Sequence, residues 1–330
     1  MKISIVVAIF NRKDELFELL NSLSHQTCKD FEVIIVDDGS KIELQPTVDM
    51  FKEMLTIRYF KKENTGPGLS RNYGAHRAEG EWLVFLDSDV IVETDYIEQV
   101  CKNIDEIPTD AFGGADKAHK GFNLLQKAIS YSMTSVFTTG GIRGNKKAVS
   151  KFQPRSFNMG VKKTVFLEVG GFSEMRIGED PDLSMTLWEK GYQTAFFDHI
   201  GVYHKRRTDL GKFSKQVYQF GVARPILNQR HPAYTKLTFW FPSVFLVGYC
   251  MGIIHYFFEH NGIILSLYGL YTFLVFAHAT LITRNISIGA LAVVTTYVQM
   301  FSYGYGFLES WIKLNVFRKE PRDAFPKHFH

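Results

Sequence analysis

Three long uncharged stretches in the last third of the sequence restrict most strongly what this chain can fold into. They cover residues 237–258, 263–283 and 286–308, and none of them contains Asp, Glu, Lys or Arg. Because about 20 apolar residues in a helix cross a hydrocarbon core of about 30 Å, each stretch is long enough to span a membrane. One such stretch could be a buried helix of a soluble protein, but three in succession predict a membrane region.

Basic residues lie on both sides of this predicted membrane region. Those before it are Lys205, Arg206, Arg207, Lys212, Lys215, Arg224, Arg230 and Lys236, and those after it are Lys313, Arg318, Lys319, Arg322 and Lys327. Basic flanks stay on the cytoplasmic side, whereas three crossings would separate them. The number of crossings, two or three, therefore stays open, and the first stretch, interrupted by Pro242, is the best candidate for a re-entrant segment. The first basic cluster also suits anionic headgroups or a lipid diphosphate, or it is a solvated surface.

The start of the sequence and its cysteines indicate the compartment. Met1 and Lys2 lead directly into the apolar residues 3–7, so no signal peptide is expected. We therefore expect a multi-pass protein of the inner (cytoplasmic) membrane with its first domain on the cytoplasmic side. The three cysteines are far apart without metal-ligand spacing, which predicts no disulfides and no zinc site. The net charge of +4 is too small to indicate a nucleic-acid partner.

The first 87 residues alternate between apolar strands and amphipathic helices. The pattern predicts strands at 3–9, 31–36, 56–60 and 82–86 and helices at 11–23, 44–54 and 68–78. Strands that alternate with helices of this length form βαβ units, so we expect an α/β domain with a parallel sheet. Farther along, residues 120–137 are predicted to form a helix that crosses this sheet.

Two acidic clusters are candidates for chemistry. The strand at 82–86 ends in Asp87-Ser88-Asp89, at the sheet edge where α/β folds bind ligands. Paired carboxylates there suggest a divalent cation and, through it, a phosphate, although they could instead cap a helix. The second cluster is Glu179-Asp180 before a helix that ends near Lys190. Pro181 at the first helical position would make Asp180 the N-cap, which is the structural alternative to a catalytic function.

Five motifs in a fixed order identify a resemblance that covers residues 3–207. They are Val36-Asp37-Asp38-Gly39-Ser40; Asn64-Thr65-Gly66-Pro67-Gly68 with Ser70-Arg71-Asn72-Tyr73-Gly74; Asp87-Ser88-Asp89; Asn158 to Gly171-Phe172; and Gly178-Glu179-Asp180. The chain resembles a family two glycosyltransferase. This implies a GT-A domain, a Rossmann-like nucleotide-sugar-binding fold, followed here by an α-helical membrane region. That region is similar, more loosely, to those of bacterial exopolysaccharide and lipid-linked glycan glycosyltransferases.

The resemblance implies a metal-dependent enzyme that uses a nucleotide-diphosphate sugar. A Mg²⁺ or Mn²⁺ ion would neutralise the diphosphate leaving group through oxygen ligands. Asp89 matches the family's metal ligand, while Asp87 and Ser88 would lie at the nucleotide. His204 matches a histidine that many GT-A enzymes add as a metal ligand, and the alternative is an ordinary histidine at a strand end.

Further positions match family residues that bind the donor. Asp38 would accept from the imide N–H of the base, which suits uracil and also guanine. Phe10 would lie against the base or else pack in the core, and Arg71 would lie near the diphosphate or form a surface salt bridge. Gly170 and Gly171 would let the backbone approach the sugar or form a plain turn.

The second acidic cluster matches the position of the family's catalytic base. Family two enzymes invert the anomeric centre, so one carboxylate, Asp180, would deprotonate the acceptor hydroxyl, and Glu179 would orient the acceptor or a neighbour. Processive synthases carry a Gln-x-x-Arg-Trp motif beyond the base, but residues 215–224 contain no Trp. Transfer of one sugar is therefore the better interpretation.

The predicted organisation is a catalytic domain at 1–210, an interfacial amphipathic segment at 211–236, membrane helices at 237–308 and a basic tail at 309–330. The predicted partners are a nucleotide-diphosphate sugar, a lipid-linked or glycan acceptor and the membrane. Two alternatives stay open. A polyprenyl-phosphate sugar synthase would not need a base, because its acceptor phosphate is already ionised. A membrane-anchored module could instead bind nucleotide sugars without turnover.

Overall fold

The computed structural model describes residues 3–117, 121–139, 152–204 and 209–330. Its contacts divide the chain into two units. The first contains Met1–His119, Lys146–Lys205 and Lys327–His330, and the second contains Lys120–Asn145 and Arg206–Pro326. The four segments predicted from the sequence, with their three boundaries, are not tested by this division and stay a prediction.

The first unit is built on one eight-stranded sheet. Its strands are β1 (Ile3–Ile9), β2 (Phe31–Asp37), β3 (Thr56–Lys61), β4 (Trp82–Asp87), β5 (Val90–Ile91), β6 (Ala111–Lys117), β7 (Asn158–Lys162) and β8 (Thr194–His204). Their order across the sheet is β3-β2-β1-β4-β7-β6-β8-β5. The first four strands are parallel, as predicted, but β7 runs antiparallel to both β4 and β6. The parallel pairing predicted from the first four strands is therefore confirmed, and the antiparallel strand β7 makes the whole sheet mixed.

The helices of the described residues complete the architecture. They are α1 (Lys13–Ser24), α2 (Gln45–Asp49), α3 (Pro67–Arg77), α4 (Tyr96–Glu106), α5 (Leu124–Thr134), α6 (Val136–Thr139), α7 (Lys163–Glu168), α8 (Glu179–Glu189), α9 (Leu210–Arg230), α10 (Phe241–Glu259), α11 (Ile263–Thr283), α12 (Ile286–Trp311) and α13 (Pro321–Ala324). A π-helical turn (Ile312–Val316) continues α12.

Apolar side chains cover both faces of the sheet in the first unit. On one face, Ile5 and Val7 of β1 pack with Leu20 of α1. On the other face, Val6 of β1 packs with Ala75 of α3. Strands buried on both faces read as continuous apolar runs, which is why β1, β2 and β4 are recognisable in the sequence.

Helix α5 packs within the second unit rather than across the sheet. Its Ala128 and Tyr131 form an apolar cluster with Ala279 of α11 and Ala292 of α12. The prediction that residues 120–137 cross the sheet is therefore wrong. The sequence did show an apolar helix there, but its partners are other apolar helices.

Helix α9 approaches α12 closely through glycines. A Cβ at Gly221 would collide with the backbone carbonyl of Tyr303, and one at Gly306 would collide with that of Tyr218. The Tyr218 hydroxyl also donates to Glu309 at 2.6 Å. Small residues at these positions allow the two helix backbones to approach each other.

Three helical segments of the described residues are long and apolar enough to cross a membrane. They are Leu237–Glu259, Ile263–Thr283 and Ile286–Val316. Pro242 lies in the first turn of α10, where its missing N–H has no consequence, and the helix then runs uninterrupted to Glu259. The expectation that Pro242 breaks this segment is wrong, and the number of crossings stays open.

Candidate active site

Parallel strands bring the predicted site residues to one edge of the sheet. Phe10 follows β1, Asp38 follows β2 and the acid triplet ends β4. The Asp38 N–H donates to the carbonyl of Ile9 at 2.8 Å, which fixes the loop after β2 beside the end of β1. This is the carboxyl edge at which open α/β sheets bind ligands.

Arg71 joins the two acidic clusters. From α3 it donates through Nη2 to Asp87 Oδ1 at 2.6 Å and through Nη1 to Glu179 Oε1 at 3.1 Å. Its side chain is only 5% exposed, and its guanidinium lies 5.4 Å from the ring centroid of Phe172. The alternative of a surface salt bridge is therefore wrong for Arg71. The buried guanidinium thus holds Asp87, at the end of β4, and Glu179, at the start of α8, in one network.

Glu179 is the buried member of the second acidic cluster. Burial raises the pKa of its carboxyl above the usual value, the negative charge of Asp180 raises this pKa further, and Arg71 lowers it in part. An acid enclosed beside a cation in this way cannot also face a substrate freely. Glu179 is therefore suited to position Arg71.

Asp180 lies in the first turn of α8 but does not cap the helix. The N-cap is Gly178, whose φ of +93° suits glycine, so the helix starts at Glu179. The structural alternative, that Asp180 is the N-cap, is wrong because this glycine makes the turn. Asp180 Oδ2 lies 3.5 Å from Arg155 Nη1, and its side chain is 17% exposed. Of the two acids, Asp180 is the more accessible.

Asp89 forms an ion pair with Arg12, at 2.5 Å between Oδ2 and Nη1. The next residue, Val90, pairs across the sheet with His204, the last residue of β8. The backbone of His204 thus lies next to the acid triplet. A metal ion bound by both Asp89 and His204 would require the two residues to be close. Among the described residues, no three His, Cys, Asp or Glu side chains form a metal-binding group by themselves.

The donor set still fits a hard divalent cation. Carboxylate oxygens at the end of β4 are the ligands that Mg²⁺ and Mn²⁺ prefer, and substrate phosphates commonly supply other ligands to such ions. The side chain of Asp87 is 30% exposed, so it stays accessible from solvent although it is bonded to Arg71.

Asp38 organises the loop that follows β3. Its Oδ1 accepts from Lys62 Nζ at 2.6 Å and from the Thr65 N–H at 2.8 Å, and its Oδ2 accepts from the Gly66 N–H at 2.7 Å. A carboxylate has about four acceptor positions, so about one remains for a ligand. Phe10 is 45% exposed, and the alternative that it packs in the core is therefore wrong.

Gly170 and Gly171 follow α7, with positive φ angles of +85° and +70°. A Cβ at Gly171 would lie 2.6 Å from Asn72 Oδ1, which accepts from the Phe172 N–H at 2.9 Å. Asn72 also donates to the Phe172 carbonyl at 2.7 Å. These contacts account for Gly171 as a turn residue, and a contact of either glycine with the sugar stays a prediction.

Asn72→Ala should destabilise the first unit by about 1–3 kcal/mol, because both backbone groups of Phe172 lose their partner. Urea unfolding of the full chain in detergent measures this loss. Asn21→Ala, at an exposed position of α1, is the matched control and should change the free energy of unfolding little. An Asn72→Ala chain as stable as wild type would contradict this function of Asn72.

Sequence reasoning missed three residues that hold the site. Arg12 pairs with Asp89, Arg155 pairs with Asp180, and Lys62 pairs with Asp38. None of them lies next to its partner in the sequence. Asn72 did lie within a quoted motif, directly after Arg71, but no periodicity indicated its bond to residue 172.

Comparison with protein families places residues 4–166 in the family described as glycosyl transferase family 2. An uncharacterized glycosyltransferase of Haemophilus influenzae is 33% identical over 199 residues, which cover 59% of this chain and 64% of that protein. The poly(ribitol-phosphate) beta-N-acetylglucosaminyltransferase TarS of Staphylococcus aureus is 34% identical over 114 residues, covering 33% of this chain and 20% of TarS. The chain thus spans less than two thirds of the length of these relatives.

Solved structures show the same fold. TarS residues 1–349 in complex with UDP align with a TM-score of 0.50 and 19% identity, over 94% of this chain and 91% of that one. The mannosyltransferase PcManGT of Pyrobaculum calidifontis, in complex with GDP-Man and Mn²⁺, aligns with a TM-score of 0.57 and 17% identity, over 96% and 88%. The sheet with its flanking helices is therefore a GT-A fold, followed by a helical region.

Proposed function

Residues 4–166 of this chain are a glycosyl transferase family 2 domain, and on that premise we propose a membrane-bound inverting glycosyltransferase. It transfers one sugar from a nucleotide-diphosphate sugar, of the uridine type, to a hydroxyl of a lipid-linked or membrane-associated glycan. The observation that carries this proposal is the network in which buried Arg71 bonds both Asp87 and Glu179. It connects a site for the donor diphosphate with the cluster that contains the proposed base.

The donor end of the site is built from acids and cations. Asp38 and Phe10 bind the base, while Arg71 and Arg12 provide positive charge near the diphosphate. Asp89, with His204, would hold Mg²⁺ or Mn²⁺, which neutralises charge on the leaving nucleotide when bound. The mannosyltransferase with GDP-Man and Mn²⁺ supports the choice of a divalent ion.

The acceptor end of the site needs a base. Asp180 takes the proton from the attacking hydroxyl, and its partial exposure and its ion pair with Arg155, while Arg71 pairs with Asp87 and Glu179, support that assignment. Glu179 holds Arg71 in place. The three apolar helical segments support an acceptor that resides in the membrane. A cytoplasmic position of the first unit is part of the proposal and rests on the basic residues that flank the apolar stretches.

Removal of the metal should abolish transfer, and Asp89→Asn should lower kcat/KM by at least about a hundredfold, since metal stabilisation of a leaving group contributes several kcal/mol. Nucleotide release is measured with Mn²⁺, with Mg²⁺ and with a chelator. Asp14→Asn, at an exposed position of α1, is the matched control and should keep its rate. Full activity in excess chelator would contradict the metal assignment.

A donor panel tests the proposed function itself. The purified full chain, in detergent with Mn²⁺ and membrane lipid extract, is offered UDP-, GDP-, TDP- and CMP-sugars. We expect nucleotide release from one class, the UDP-sugars, and a faster release when the extract is present. Tight binding of a nucleotide sugar without any release would instead support a binding module without turnover.

A further inference from the structure

The segment Lys327–His330 belongs to the first unit, although it follows the helices of the second unit in the sequence. Phe329 forms an antiparallel bridge with Met175. The Arg176 N–H donates to the carbonyl of His328 at 2.8 Å, and the His330 N–H donates to that of Glu174 at 3.1 Å. Phe329 is only 8% exposed. The segment is thus held by one isolated bridge, two backbone hydrogen bonds and a buried aromatic anchor.

This docking places the imidazole of His330 against the loop that Asp38 holds. A Cβ at Gly66 would collide with ring atoms Cε1 and Nε2 of His330. The N–H of the same Gly66 donates to Asp38 Oδ2 at 2.7 Å. His330 and Asp38 therefore flank one glycine, at the sheet edge assigned to the nucleotide base.

The polar edge of this imidazole is not used within the chain. His330 Nε2 is buried and has no hydrogen-bond partner among the residues that the structure describes. Burial lowers the pKa of His330, the charge of Arg176 lowers it further and the charge of Asp38 raises it in part, so burial favours the neutral form of the ring. A neutral imidazole can carry its proton on Nε2 and donate a single hydrogen bond.

We propose that His330 is a specificity residue of the donor site, where its Nε2 donates to a carbonyl of the nucleotide base beside the imide N–H that Asp38 accepts. This inference rests on the proposed function. Uracil presents an imide N–H between two carbonyls and matches this acceptor and donor pair. With Nε2 on the carbonyl at C4, cytosine leaves both protein groups unmatched, because it has a bare ring nitrogen in place of the imide N–H and an amino group in place of that carbonyl.

Titration of UDP and CDP into the full chain with Mn²⁺ tests the inference. The wild-type chain should bind UDP more tightly than CDP. His330→Ala should weaken UDP binding about five- to tenfold, the usual effect of one lost hydrogen bond, and leave CDP unchanged, so that the preference shrinks. His330→Gln keeps an N–H donor at the distance of Nε2 and should restore binding to within about twofold.

Two further variants distinguish the contact of His330 with the base from the docking of the segment Lys327–His330. Phe329→Ala removes the anchor of the segment and should weaken UDP binding as much as His330→Ala does. His76→Ala, at an exposed position of α3, is the matched control and should bind UDP like wild type. A His330→Ala chain that binds UDP as tightly as wild type, or more tightly, overturns the inference. Tighter binding would show instead that the segment obstructs the nucleotide site. Wild-type chain that binds no nucleotide at all would overturn the proposed function as well.

Discussion

Asp180→Asn should lower the rate of sugar transfer by about a hundredfold to ten-thousandfold, the usual contribution of a general base. The amide has the size of the carboxylate but cannot take the proton of an acceptor hydroxyl. Nucleotide affinity should change little, because the ion pair of Asp180 is with Arg155, whereas Arg71 keeps its ion pairs with Asp87 and Glu179. The loss should therefore appear in kcat and not in the dissociation constant of UDP.

The control for this variant is Asp105→Asn, an exposed acid of α4 that should leave the rate unchanged. Near-normal transfer by Asp180→Asn to a hydroxyl acceptor would contradict the mechanism. Near-normal transfer to a lipid phosphate would point instead to the polyprenyl-phosphate sugar synthase, because such an acceptor is already ionised at neutral pH.

Arg71→Met should be the most destabilising change at the site. It leaves the carboxylates of Asp87 and Glu179 without their shared cation, and breaking a buried ion pair in this way costs about 3–5 kcal/mol. Arg71→Lys keeps the charge but cannot reproduce the two-armed contact, so it should be intermediate in stability. Both variants should transfer sugar far more slowly than wild type.

The measurement is urea unfolding of the full chain in detergent, followed by tryptophan fluorescence. Arg77→Met is the matched control from the same helix, where the guanidinium lies over the ring of Tyr73 and is not buried between two acids. It should cost about 1 kcal/mol or less. An Arg71→Met chain that unfolds at the wild-type urea concentration would contradict the structural function of the network.

Most of the first half of the sheet could be predicted from the sequence because β1, β2 and β4 are apolar on both faces. The predicted strand at 3–9 matches β1, and those at 31–36, 56–60 and 82–86 differ from β2, β3 and β4 only by one added residue at the end. The position of the acid triplet at the carboxyl edge followed directly from this. The apolar length of the last three helices was equally visible.

The remaining features depend on contacts that a linear pattern does not encode. The residues of β7 carry no information on the direction of that strand, and α5 is apolar whether it packs on a sheet or on other helices. Burial of Arg71 needed knowledge that residues 87 and 179 meet on either side of it. The N-cap at Gly178 was missed because Pro181 offered an equally regular helix start.

The anomeric configuration of the first product tests the central claim most directly. With the donor that the panel identifies, product formed on the membrane acceptor is trapped early, and the coupling of its anomeric proton is read by NMR. A single displacement assisted by Asp180 predicts an inverted product, a β-glycoside from an α-linked nucleotide sugar. A retained α-glycoside would contradict it, because retention requires a second displacement that this site is not proposed to perform.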